Sequence, residues 1–525
     1  MEANPARTDE HVVGGGAVAV IGDNRGGELV KRRNRPRNKT PQCQSGGEGA
    51  VADELVVDER FETWAALPIR LEARVGLDHR AVSVREPVGL EVIDAPRELL
   101  PIIHQLIEGN SRFFRQQVEG IHALHFDFDN HAERADADRH PGALPVLTKT
   151  RTQHYPLGVV GLISPWNYPL SLGVGDVLAA LSAGNAVVHK PDSQTTLTAI
   201  LQRRLAIEAG LPEAAWQLVP GRGAEVGDAL VPLVDSLSFT GSTRAGKTIA
   251  TQAAGRLIPT MLELGGKNPM LVLDDAPLKP TAQGAVRTAF SSSGQLCMSA
   301  ERAYVHESVF EEFLVELKNA LDQQVLGAAF SDAATIGSLT SQRQLDAVKA
   351  HVEDAVSKGA TVVYGGKARP DLGPYFYETT VLTGVTPEMD LYATETFGPV
   401  LAVYAVSSAA EAIQLANDTT YGLSASVWSG NSRRAWKVAS QLEAGIVNIN
   451  EGFAAAYGSI AAPGGGVKES GLNHRHGITG MRLWANERTV AEQRLHPLAP
   501  SEYISPERFR HLASTGMQLM KTFRL

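Results

Sequence analysis

A chain of 525 residues is too long for a single hydrophobic core, so two or three domains are expected. Its 43% hydrophobic and 20% charged residues are a globular composition, not a disordered one. A formal charge of −9 argues against nucleic acid as a partner of the whole chain.

Residues 1–60 read as a disordered tail, Gly-rich and without apolar periodicity. Lys31, Arg32, Arg33, Arg35, Arg37 and Lys39 crowd one segment there. Such a run can bind nucleic acid or act as an import signal, but in an acidic chain a solvated tail is the favoured reading. Residues 61–140 hold helical patches such as Glu98 to Phe114, and no coherent core pattern. At Gly142 the character changes, as a reading-frame disruption upstream would leave it. Val159–Ile163 reads as a buried strand, Leu170–Leu181 as a helix ending near Gly184, and Ala186–His189 as a strand. Thr195–Ala209 is a helix stopped by Gly210 and Pro212. Leu237–Thr240 runs into a helix starting near Thr243, and Asn268–Leu273 is a further strand. A second α/β series spans about Gln295 to Asn450. Strands alternating with helices at this spacing imply parallel sheets with crossover helices, hence an α/β fold in two domains.

The two cysteines, Cys43 and Cys297, cannot frame a disulfide scaffold, so a reducing, cytoplasmic setting is the expectation. Apolar stretches are broken before the ~18 residues of a membrane span, so none is expected. The N-terminus lacks the order of a signal peptide. The histidines, His474 and His476 among them, show no metal-ligand spacing, and solvated or core roles are the expectation, with no metal.

Chemistry concentrates in a few segments. Cys297 ends Ser293-Gly294-Gln295-Leu296-Cys297, where small neighbours leave a sulfur accessible to act as a nucleophile. A lone cysteine is more often a small buried hydrophobe. Glu263, in Leu262-Glu263-Leu264-Gly265-Gly266-Lys267, has apolar flanks that raise a carboxyl pKa toward that of a general base. In Ser164-Pro165-Trp166-Asn167-Tyr168-Pro169, Asn167 offers an amide for an oxyanion or, equally, a turn residue bonding its own backbone. Phe239-Thr240-Gly241-Ser242-Thr243 feeds a strand through a glycine turn into a helix start whose free N–H groups suit a pyrophosphate. Neither it nor Gly221 to Gly227 has the usual dinucleotide spacing.

Together these blocks resemble the aldehyde dehydrogenase superfamily, from Gly142 to about Arg494. Gly184-Asn185-Ala186 through Lys190-Pro191, Glu395-Thr396-Phe397-Gly398-Pro399 and Pro463-Gly464-Gly465-Gly466-Val467-Lys468 also match. The resemblance implies a Rossmann-type nucleotide domain over 61–262 (atypical over 61–140) and an α/β catalytic domain over 263–450. It implies a return to the core over 451–485 and oligomerisation strands at 146–157 and 486–494, followed by a C-terminal tail at 495–525. Phe61 to Arg74 is faintly similar to the family, through Trp64 and Pro68, and 76–140 carry no resemblance.

The implied roles follow position by position. Cys297 attacks the aldehyde, Asn167 and the Cys297 N–H hold the oxyanion, and Glu263 activates the water that hydrolyses the thioester. Trp166, Lys190, Ser193, Gly241, Ser242, Leu264, Glu395 and Phe397 bind the nucleotide. Ser193 stands where members preferring NAD carry a Glu, so NADP is the expected cofactor, with NAD possible. Leu144 to Thr150, Lys190 to Thr195 and Gly365 to Asp371 are similar to NADP-using succinate-semialdehyde dehydrogenases of the actinobacterial type. The implied substrate is therefore succinate semialdehyde, and Arg302 is either a carboxylate clamp or a structural residue. Two alternatives are a broad-range or aromatic aldehyde dehydrogenase and a catalytically impaired relative with a defective N-terminal segment. A homodimer or homotetramer is expected, with the amphipathic segment Pro506 to Leu525 packing between subunits.

Overall fold

The computed structural model describes residues 139–141, 148–328, 333–494, 500 and 502–523. The expectations for 1–60 and 61–138, including the basic run, lie outside them. Strand β1 (Arg139–Pro141) pairs antiparallel with β2 (Thr148–Pro156).

The chain then builds a parallel sheet from β3 (Val159–Ile163), α1 (Pro169–Ser182), β4 (Ala186–Lys190), α2 (Thr196–Glu208) and β5 (Trp216–Leu218). It continues with β6 (Ser236–Thr240), α3 (Thr243–Arg256) and β7 (Thr260–Glu263). The strand order is β7-β6-β3-β4-β5. Both faces are covered. Val160, Leu162 and Met261 join Trp216 and Trp484 in one cluster, while Ile163, Phe239 and Leu262 join a second. Neighbours in sequence thus fall into different clusters, as the period of two along a strand requires.

The second sheet is formed by β8 (Asn268–Val272), α4 (Leu278–Phe290), β9 (Ala300–His306), α5 (Phe310–Leu321) and α6 (Gln342–Ser357). After it come β10 (Thr361–Tyr364), β11 (Thr380–Thr383), β12 (Val400–Val406), α7 (Ala409–Asn417), β13 (Ser424–Trp428), α8 (Ser432–Ala439) and β14 (Ile446–Ile449). Its order is β10-β11-β12-β9-β8-β13-β14, parallel except for β10 on β11. The second sheet therefore starts at β8, ahead of the α/β series read from about Gln295 and inside the span 263–450 that the resemblance implied. β8 lies between β9 and β13, because the Gly265-Gly266 turn carries the chain out of the first sheet.

β15 (Gly471–Leu472) returns to β7 antiparallel, with Gly471 opposite Glu263. β16 (Ala485–Gln493) pairs along the whole of β2, from Ala485 opposite Pro156 to Gln493 opposite Thr148. The segment expected as a tail contains a helix, α9 (Pro506–Phe523). No helix among the described residues is long and apolar enough to cross a membrane.

Candidate active site

The carboxyl ends of β3 and β7 and the loop before β9 meet at Cys297. That loop takes a left-handed path through Ser292, Ser293 and Gly294, with φ of 54, 56 and 71°. At Gly294 a side chain is excluded outright, since a Cβ would lie 2.0 Å from the Gly398 carbonyl oxygen. The bend brings Cys297 out half-buried between the buried residues Leu296 and Met298. The cysteine, like Tyr168, Phe453 and Tyr457, packs against the cluster of Leu296, Met298 and Leu423. Asn268 fixes the loop by donating to the Cys297 carbonyl at 2.7 Å.

Asn167 follows β3 and is buried, and its Nδ2 donates to the Gln295 carbonyl at 3.0 Å. One hydrogen of the amide is thus spent on the nucleophile loop and the other is left over. Glu263 ends β7, 5% exposed, and its Oε1 has no hydrogen-bond partner. Burial pushes its pKa up to about 7, with Arg475 opposing, Asp176 adding and the Gly466 N–H opposing. Burial and the Glu263 and Glu395 carboxylates push the Cys297 thiol up to about 12, against the pull of Arg475. A thiol held this high reacts as a nucleophile only if an acceptor takes its proton.

The residues expected to bind a nucleotide fall into two groups. Along the carboxyl edge of the first sheet, Lys190 is buried at the end of β4 and Ser193 is exposed ahead of α2. Burial lowers the Lys190 pKa, and Asp192 partly offsets this. Ser242 caps α3, its hydroxyl accepting from the Ala245 N–H at 3.4 Å. Gly241, in the turn that leads into α3, gives its own N–H to the Glu263 carbonyl at 3.0 Å. The amides free for a pyrophosphate are those of the first turn of α3, at Thr243 and Arg244.

The second group lies toward the other sheet. Leu264 is buried and donates its N–H to the Ser470 carbonyl at 2.8 Å. Glu395 accepts from the Gly266 N–H at 2.9 Å, and burial, then Glu301, push its pKa up to about 8. The ring of Phe397, whose φ is 51°, meets that of Trp166 edge-on at 5.6 Å. That contact joins the loop after β3 to the loop before β12. A buried amine, a helix start and paired aromatic rings are donors and platforms of the kind a nicotinamide dinucleotide needs. Among the described residues no group of three or more His, Cys, Asp and Glu is placed to hold a metal.

The sequence reading missed two buried ion pairs. Lys267 Nζ lies 2.5 Å from Glu301 Oε2, and Glu301 also accepts from the N–H groups of Thr396 and Phe397 at 2.9–3.0 Å. Arg475 donates from Nε and Nη2 to both oxygens of Asp176 at 2.9–3.2 Å, and from Nη2 to Thr240 Oγ1. A signal for it existed: Asp176 interrupts the apolar helix Leu170–Leu181. His476, beside Arg475, is half-buried with its ring 5.9 Å from Tyr457. Arg302 is structural, donating to the carbonyls of Lys267, Leu415 and Ala416 and to the Tyr304 hydroxyl at 2.8–3.1 Å.

A parallel sheet with its ligand edge at the strand carboxyl ends, facing a cysteine loop and a buried glutamate, is the geometry of one enzyme class. The chain belongs to the aldehyde dehydrogenase family, whose model matches residues 101–490. The match starts upstream of Gly142, so the resemblance reaches further toward the N-terminus than its motifs alone indicated. The chain is accordingly an NAD(P)-dependent aldehyde dehydrogenase. It is 46% identical over 440 residues to a protein of Mycolicibacterium smegmatis provisionally named succinate-semialdehyde dehydrogenase [NADP(+)], covering 82% of this chain and 85% of that one. Among solved structures, an E. coli NADP-dependent enzyme superposes with a TM-score of 0.65 at 35% identity, covering 68% of this chain and 73% of that one. Betaine aldehyde dehydrogenase of Staphylococcus aureus in complex with NAD+ gives 0.64 at 34% identity, covering 68% and 71%.

Proposed function

We propose that the protein oxidises succinate semialdehyde to succinate with NADP, through a thioester on Cys297 that Glu263 helps to hydrolyse. The chemistry rests on one juxtaposition, a half-buried thiol beside a buried carboxyl held near neutrality. Cys297 Sγ adds to the aldehyde carbon as its proton passes to the ionised Glu263 carboxylate and on to solvent, and the aldehyde oxygen becomes an oxyanion. The spare N–H of Asn167 and the backbone N–H of Cys297 hold that oxyanion. A bound nicotinamide supplies positive charge and a hydride acceptor. Trp166, Lys190, Ser193, Gly241, Ser242 and Leu264, with Glu395 and Phe397, hold and orient the dinucleotide. Glu263 then takes a proton from water as the water attacks the thioester, and the acid leaves as Cys297 Sγ regains its proton. Two easier steps replace one hard one.

The NADP preference follows from Ser193, which puts no carboxylate against a 2′-phosphate. The substrate assignment draws on the name of the M. smegmatis relative and on the similar segments of sequence. Strands β2 and β16 are the proposed oligomerisation elements of a homodimer or homotetramer.

A second reading, an aromatic or broad-range aldehyde, is favoured by what surrounds the nucleophile. Tyr168, Phe453 and Tyr457 share with Cys297 the rim of one apolar cluster, whereas Arg302 is consumed by backbone carbonyls and Arg475 by Asp176. Absorbance at 340 nm, with succinate semialdehyde against benzaldehyde and NADP against NAD, separates the two. Faster Cys297-dependent NADPH formation from succinate semialdehyde supports the first reading, with Cys297→Ala as control. Preference for benzaldehyde replaces it, and no signal from the intact oligomer means an impaired enzyme.

A further inference from the structure

Behind Glu263 lies the pair that the mechanism leaves unused. β15 runs antiparallel to β7 with Gly471 opposite Glu263, and the chain then turns back toward the carboxylate. Asn473 Nδ2 donates to the Thr260 carbonyl at 2.7 Å, while Arg475 and Gly464 exchange backbone bonds at 2.8 and 2.9 Å. Gly465 completes the cradle: a Cβ there would lie 2.7 Å from Glu263 Oε1 and 3.1 Å from the His474 Cα. The Glu263 carboxyl therefore rests against Gly465, next to the Gly464 backbone that pairs with Arg475. The guanidinium reaches Thr240 Oγ1, and Thr240 stands beside Glu263 in register on the neighbouring strand. On its far side Asp176 of α1 receives Arg475 bidentately and Ser238 Oγ at 2.9 Å. Side-chain exposure is 13% for Arg475 and 8% for Asp176, so water screens neither charge well.

We propose that Arg475, held by Asp176, is a positioning residue for Glu263, steadying the carboxyl whose Oε1 has no hydrogen-bond partner among the described residues and thereby governing hydrolysis of the acyl-enzyme. The inference rests on the assignment of Glu263 as the hydrolytic base. A cation beside a buried carboxyl favours its ionised form, and an anion disfavours it. Burial raises the Glu263 carboxyl most, and on top of that rise Arg475 and Asp176 pull it in opposite directions. The other titratable groups facing this cluster are Cys297, pushed up by burial, Tyr457, raised by burial, and His476, lowered by burial and by Arg475. Of the charged side chains, Arg475 and Asp176 are the two that pull on Glu263.

The test uses the opposite signs. p-Nitrophenyl acetate acylates a cysteine without any redox step, so nitrophenol release in a burst followed by a steady rate follows deacylation of the full-length enzyme across pH. In Arg475→Gln the ascending limb of the steady rate moves up by about one pH unit, with about tenfold slower hydrolysis below it. In Asp176→Asn the limb moves down. Arg475→Lys keeps a cation and stays close to the parent, which guards against a glutamine variant that merely folds badly. Equal losses at every pH in both partners, or limbs that do not move, would mean a structural clamp and overturn the proposal. Glu263→Gln is the control and removes the limb. A limb that survives it belongs to another group, and the proposal then falls together with the base assignment.

Discussion

Two regions of the molecule bury a glutamate to nearly the same depth and treat it in opposite ways. Where the loop before β12 meets β9, Glu301 is 3% exposed, paired with Lys267 and accepting backbone bonds from Thr396 and Phe397. In the cleft at the end of β7, Glu263 is 5% exposed and one of its oxygens bonds nothing. The first carboxylate is satisfied and therefore inert, and it pins the loop that carries Glu395 and Phe397. The second is left wanting a proton or a water, which is the condition of a base. Burial alone marks neither role; the partners do.

The largest effect is expected at the unsatisfied end. Glu263→Gln slows acyl-enzyme hydrolysis by about 10²–10⁴-fold, so an acylated Cys297 accumulates and mass spectrometry of the quenched enzyme detects it. Stability should move the other way. Folding raises the Glu263 pKa from 4.5 to about 7. The folded protein therefore holds a proton that the unfolded chain has lost, and stability falls as pH climbs through that window. The variant has no such loss. Its melting temperature relative to the parent rises between pH 4.5 and 7 and stays level above, by at most about 3 kcal/mol in free energy. A parent and variant with parallel pH profiles would contradict the unsatisfied carboxyl.

Glu301→Gln inverts that pattern. It leaves the Lys267 ammonium buried opposite a neutral amide, a change that costs about 3–5 kcal/mol, measured by denaturant unfolding. Its catalytic consequence runs through the loosened loop before β12 and appears as a higher KM for the nucleotide, with the pH limb of hydrolysis in place. A loss of activity with unchanged stability would erase the distinction between the two glutamates.

Asn167 tests the middle of the comparison, since its amide is bonded on one hydrogen and proposed to act with the other. Nδ2 holds the Gln295 carbonyl, and the spare hydrogen points to the oxyanion role. Asn167→Ala should lower kcat by about 10²-fold while costing only about 1 kcal/mol of stability. Losses of similar size in both would make it a loop brace alone.

Much of this was legible from residues that sit close together in the chain. Val159–Ile163 was expected and found as β3, and Thr195–Ala209 shortened by a residue at each end to α2. Such elements are written in local periodicity and in stops such as Gly210 and Pro212. Cys297, Glu263 and Asn167 stood out because small or apolar neighbours advertise an exposed thiol or a tuned carboxyl. The partners of those residues did not. Asp176 and Arg475 are 299 positions apart, and Lys267 and Glu301 are 34 apart, so pairing exists only once both sheets have closed. The partner of the Gly241 N–H was hidden for a related reason. A glycine turn ahead of a helix predicts free amides, but strand register hands that particular N–H to the Glu263 carbonyl.

The smallest effect belongs to the exposed rim, where neither glutamate's lesson applies. Ser193 lies in solvent ahead of α2, three residues past the buried Lys190. Ser193→Glu places a carboxylate there without burying it, so stability should hold within about 0.5 kcal/mol. Against a 2′-phosphate the new charge repels, but water and salt screen it. The ratio of KM for NADP to KM for NAD should therefore rise only about tenfold at low ionic strength, and less at 0.5 M salt. Initial rates with each nucleotide at both salt concentrations measure it. A ratio that does not change would put the phosphate away from Ser193, and the cofactor preference would have to be sought elsewhere along the carboxyl edge of the first sheet. A ratio that climbs and ignores salt would mean the rim is drier than its exposure indicates, closer in character to the Glu263 cleft.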